Sequence, residues 1–151
     1  MTSSTPTGRQ PSRHSRADYS VLLYSDNSAT RDRMRLAIGA RPAPDLGSVE
    51  FLDATTVGEV LAAADAGSAD LLLLDGEAWP SGGMGISRQL KNELASCPPI
   101  CLLVARQADR WLATWSQADA VIAHPLDPIA TSVIVAQLLR ARPAKTSMLS
   151  S

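Results

Sequence analysis

Cysteine is scarce in this chain. Its 151 residues hold two, Cys97 and Cys101, on either side of Pro98 and Pro99. That is too few for a disulfide framework, and no paired metal-ligand spacing accompanies them, so both read as buried or incidental thiols. An excess of charge is missing too. Fourteen Lys and Arg against fifteen Asp and Glu leave a formal net charge of -1. Phosphate recognition needs a concentrated basic face, so no direct nucleic-acid role is expected. The arginines do gather locally, as Arg9, Arg13 and Arg16 and again as Arg31, Arg33 and Arg35, and both groups read as solvated surface. The amino terminus has no apolar core, which excludes a signal peptide, and no run is long enough to span a membrane. A cytoplasmic, reduced setting is expected, still compatible with a peripheral position on a membrane-bound complex.

What is present is a regular alternation. Residues 1–17 and 141–151 are polar, rich in Ser, Thr, Pro and Arg, and expected as flexible tails around one domain over 18–140. Within it, Tyr19–Tyr24 reads as a strand, and Asn27 or Ser28 caps a helix through Met34, Ala37 and Ile38 to Gly39. Val49–Leu52 is a second, weaker strand. Thr56 and Glu59 have capping-box spacing ahead of a helix that Gly67 stops. Leu71–Leu74 is the third strand. Ile86, Leu90 and Leu94 recur every four residues along a helix, and the preceding Gly82–Gly85 lacks P-loop spacing and reads as a flexible loop. Ile100–Val104 is the fourth strand, Trp111, Leu112 and Trp115 mark a short helix, and Ala120–Ile122 is the fifth strand. Asp127 and Pro128 open a last helix containing Ile129, Val133, Ala136 and Leu139. Five βα units in a row imply an α/β fold, a doubly wound parallel sheet of flavodoxin-like (βα)5 type with strand order 2-1-3-4-5.

The stretch ADLLLLDGEAWPSGG, Ala69 to Gly83, locates the candidate site. Four consecutive leucines suit a strand covered on both faces, and Asp75 ends it at the carboxyl edge, where ligands bind in open α/β sheets. Ser25-Asp26-Asn27 and His124-Pro125 close two other strands at that edge. Asp75 and Asp26 also suit a purely local role, accepting backbone N–H bonds in their loops.

In these segments the sequence resembles the receiver domain of two-component response regulators, over about residues 18–140. The resemblance implies that Asp75 is the phosphoacceptor, by nucleophilic attack of a carboxylate on phosphorus. It implies that Asp26 belongs to an acidic pair that binds magnesium with Asp75, and Ser25 stands where the pair's first acid belongs. Val104 occupies the place of a hydroxyl sensor, Val121 that of a switching aromatic, and His124 that of a lysine. The family's loop proline comes one residue late, at Pro80. Magnesium requires near-ideal oxygen coordination, so Asp26 and Asp75, with Glu77 nearby, are expected to hold Mg2+ weakly, and no cofactor is required. Val104 has no hydrogen-bonding side chain, and His124 brings an imidazole in place of lysine's fixed charge.

Two readings follow. In the first the chain is an atypical orphan receiver with no output domain and no enzymatic activity. It is then an interaction module or accessory subunit docked on a larger multi-subunit protein assembly. Trp111 and Trp115, four apart, face either the core or that partner, and the family's usual partner face joins the fourth helix, fifth strand and fifth helix. In the second, a histidine kinase phosphorylates Asp75 and the chain relays the phosphoryl group. A nucleotide- or flavin-binding role lacks the glycine-rich loop it needs after the first strand.

Overall fold

The structure, a computed structural model, describes residues 17–78 and 82–141. Both expected tails, apart from Ala17 and Ala141, and Pro80 lie outside the described residues. Five strands form one parallel sheet in the order β2-β1-β3-β4-β5. They are β1 (Tyr19–Tyr24), β2 (Val49–Ala54), β3 (Leu71–Asp75), β4 (Ile100–Val104) and β5 (Ala120–Ala123). The helices are α1 (Ser28–Ile38), α2 (Val57–Ala66), α3 (Gly83–Glu93), α4 (Leu112–Ser116) and α5 (Pro128–Arg140), with a short 3-10 turn at Gln107–Asp109. This is the expected doubly wound order.

The leucine run shows why strand composition suffices here. Along β3 successive side chains point to opposite faces, so Leu72 and Leu74 join the core beneath α2 and α3 while Leu71 and Leu73 join the core beneath α1 and α5. All four are fully buried, each contributing about 1.5–3 kcal/mol of apolar burial. An alternating polar pattern would have left one helical layer with nothing to cover.

Helix starts follow local chemistry. Asn27 Oδ1 accepts from the Ala29 and Thr30 amides, Thr56 and Glu59 form the expected capping box, and Asp127 Oδ2 accepts from the Ala130 amide behind Pro128. Carboxylates likewise tie the amino ends of the strands together. Asp70 Oδ2 accepts from Ser20 N at 2.8 Å, and Asp119 Oδ2 from Ile100 N at 2.7 Å.

Two expectations are corrected. Gly82–Gly85 is no loop: Gly82 is the N-cap and Gly83, Met84 and Gly85 begin α3. The reason is close approach, since a Cβ on Gly83 would lie 2.7 Å from Leu74 Cβ and 2.9 Å from Asp75 O. The arginines of α1 are not uniformly solvated, because Arg31 and Arg35 fold onto Asp53 and bury much of their length. On α5 the core face is Thr131, Val135, Ala136 and Leu139, which leaves Ile129 and Val133 turned outward.

Candidate functional site

The carboxyl edge of the sheet brings three strand ends together. Parallel pairing sets Tyr24 beside Leu74 and Asp75 beside Leu103, so Ser25, Asp75 and the residues after β4 share that edge. Gly76 continues the ladder, its amide donating to Leu103 O at 2.8 Å. A side chain there would collide with that same carbonyl, 2.9 Å from the Cβ position. The strand end, the turn after it and the start of α3 are thus packed backbone to backbone around Asp75.

Asp75 is buried, and both of its oxygens are engaged. The Ser25 hydroxyl donates to Oδ2 at 2.8 Å, and the Glu77 amide donates to Oδ1 at 2.9 Å. Ser25, itself fully buried, also accepts from the Asn27 amide at 3.0 Å, which ties the carboxylate to the cap of α1. The local loop role weighed for Asp75 is therefore realised at one oxygen. The Glu77 side chain and Asp26 are exposed. Tyr24, buried at the end of β1, has its phenol pushed above the usual range by burial first, then by the negative charges of Asp26 and Asp75.

A magnesium pocket needs several oxygen ligands free to converge on one ion. Here a hydroxyl hydrogen points at Asp75 Oδ2 where a second carboxylate is called for. Among the described residues no three His, Cys, Asp or Glu side chains are grouped to hold a metal ion. With Asp75 as its one buried carboxylate, and Asp26 and Glu77 exposed, the donor set fits that pocket poorly.

Val104 is buried at the end of β4 with its carbonyl accepting from the His124 amide at 3.0 Å. His124 is half-buried, joined to Pro125 by a cis peptide bond. Its ring lines a small groove of about 270 Å³ with Leu36, Leu126 and Pro128 on the α1 and α5 side.

Both tryptophans face outward rather than into the core, with Trp111 66% and Trp115 49% exposed. Trp111 immediately precedes α4, and Trp115 lies within it. Together with Val57, Met84, Gln89 and Leu112 they line a groove of about 710 Å³. It lies among α2, α3 and α4, so β5 and α5 add no side chain to it. Sequence reasoning missed Arg88, whose guanidinium stacks 5.0 Å over the Trp115 ring while donating to Trp115 O at 2.6 Å. A basic residue on a helix bearing an apolar stripe carries no signal of its own.

The sequence matches no protein-family model. It is 51% identical over 121 residues to a response regulatory protein of Mycobacterium tuberculosis, found in two strains, covering 80% of this chain and 91% of the relative. In three dimensions it is similar to a response regulator from Chloroflexus aurantiacus, with a TM-score of 0.68 at 19% identity over 81% of this chain and 98% of that one. It is also similar to the signal receiver domain of the response regulator NarL from Mycobacterium tuberculosis, with a TM-score of 0.65 at 18% identity over 83% and 99% of the two chains.

Proposed function

Because the chain belongs to the response regulators and folds as their receiver domain, we propose that it is an atypical receiver acting by contact with a protein partner. It serves as an interaction module or accessory subunit of a larger assembly, without phosphorylation as its switch. One observation carries this reading: the Ser25 hydroxyl and the Glu77 amide engage both oxygens of Asp75. The two bonds stabilise the ionised carboxylate and occupy one lone pair on each oxygen, which lowers its nucleophilicity, and Ser25 puts a donor where a second metal-binding carboxylate is called for.

The remaining positions support it. Phosphoryl transfer depends on positioning and charge neutralisation, and Val104 and His124 bring neither a hydroxyl nor a fixed positive charge. The competing role, a relay in which a histidine kinase phosphorylates Asp75, needs those functions from elsewhere.

The test exposes the chain to magnesium and acetyl phosphate, with intact-mass spectrometry for one added phosphoryl group. A pull-down with the parent chain and an Asp75→Ala variant runs alongside. No phosphoryl gain, with the same stoichiometric partner recovered by both chains, is the expected result. A phosphoryl group lost on Asp75→Asn, with a partner recovered only after phosphorylation, gives the protein to the relay instead.

A further inference from the structure

The groove among α2, α3 and α4 is prebuilt. The buried Ser87 hydroxyl donates to Ser116 O at 2.9 Å, and Arg88 donates to Trp115 O, so the short α4 is pinned to α3 while the indoles of Trp111 and Trp115 remain exposed. Exposing two tryptophans on a fixed frame costs apolar burial that a partner would recover, and tryptophan is the residue most enriched where binding energy concentrates.

A guanidinium lies at the groove's edge. Arg88 lies over Trp115, and among the described residues it forms no ion pair. Of the nearby carboxylates, Asp109 is paired with Arg106, and Glu59 is held by the Thr55 and Thr56 amides at the start of α2. The walls are helices, and the nearest strands, β3 and β4, are paired on both sides, so no sheet edge is offered to an extended peptide.

Resting on the reading of the chain as an interaction module, we propose that this groove receives an acidic amphipathic helix of a partner protein. The partner's apolar side chains enter between Trp111, Trp115, Met84 and Val57, and its carboxylates meet Arg88. Aromatic walls supply affinity, and the Arg88 guanidinium selects for acidic flanks.

The probe is a blocked peptide of about 15 residues, long enough to form a helix, with Leu at i, i+3, i+4 and i+7 and Glu or Ala elsewhere. A matched peptide replaces each Glu by Lys. Nitrogen-15 spectra of the full chain follow the indole N–H signals of Trp111 and Trp115. The Glu peptide should shift both saturably and bind at least ~10-fold more tightly than the Lys peptide, with Arg88→Gln cutting affinity about 5-fold. Trp115→Ala should abolish binding, and an unchanged circular dichroism spectrum would show that this variant still folds.

Equal binding of the two peptides, or no saturable shift, overturns the proposal. So does self-association in sedimentation that Trp115→Ala abolishes, which gives the groove to a second copy of the chain. If a Trp115→Ala chain still recovers its partner in the pull-down, only the groove assignment falls. If recovery needs the phosphodonor, the interaction-module reading falls with it.

Discussion

Gly83 and Gly85 sit two residues apart in the first turn of α3, and alanine should act on them in opposite directions. Replacing glycine by alanine within a helix gains up to about 1 kcal/mol through lower backbone entropy in the unfolded chain and better propensity. At Gly85 nothing lies within 4 Å of the new methyl group, so most of that gain should appear as stabilisation of about 0.5–1 kcal/mol. At Gly83 the methyl would meet Leu74 Cβ at 2.7 Å and Asp75 O at 2.9 Å. Ordinary carbon contacts lie at about 3.5–4.0 Å, and neither atom can rotate away because both are fixed by β3. Overpacking of this kind costs about 1–3 kcal/mol, enough to outweigh the propensity gain and leave Gly83→Ala about 1–2 kcal/mol less stable than the parent. Urea unfolding of the three chains, with midpoints compared at constant m, separates the cases. If both variants fall within about 0.5 kcal/mol of the parent, the close packing of α3 on the strand end is refuted.

Ser25→Ala removes the buried donor to Asp75 Oδ2 and should cost about 1.5–3 kcal/mol in urea unfolding, the range for a hydrogen bond to a charged group. Burial pushes the Cys101 thiol up to about 12, so a thiol reagent should modify Cys97 in the native chain and reach Cys101 only after denaturant is added. Asp53 is held below its ordinary 3.8 chiefly by its hydrogen bond from Arg35, aided by charge. A lowered folded pKa stabilises above the unfolded value and is lost as pH falls through the folded one. The stability difference between parent and Asp53→Asn should therefore be present near pH 7 and shrink as pH falls below the unfolded value of 3.8, as denaturation midpoints will show.

Much of the fold was legible because its cues are local. Asn27, Thr56 with Glu59, and Asp127 with Pro128 act within one helical turn, so their spacing alone placed three helix starts. Strand ends drifted by a residue or two, β2 reaching Ala54 and β5 reaching Ala123, since pairing with a neighbour extends a strand past its apolar run. The glycine-rich start of α3 was misread because flexibility and close approach demand the same residue. Only the carbonyl of Asp75 and the side chain of Leu74, brought in by folding, distinguish them.

By itself, then, the sequence determined the order of elements, the parallel sheet and the placing of Asp75 at the carboxyl end of β3, because apolar runs, turn residues and caps act over a few positions. Tertiary structure alone decided what those elements expose and engage. Ser25 meets Asp75 across 50 residues, Arg35 reaches Asp53 across 18, and Arg88 reaches Trp115 across 27. Helical spacing could put Trp111 and Trp115 near one another but not choose between core and solvent. That choice belongs to packing, since a helix buries whichever face its neighbours leave room for.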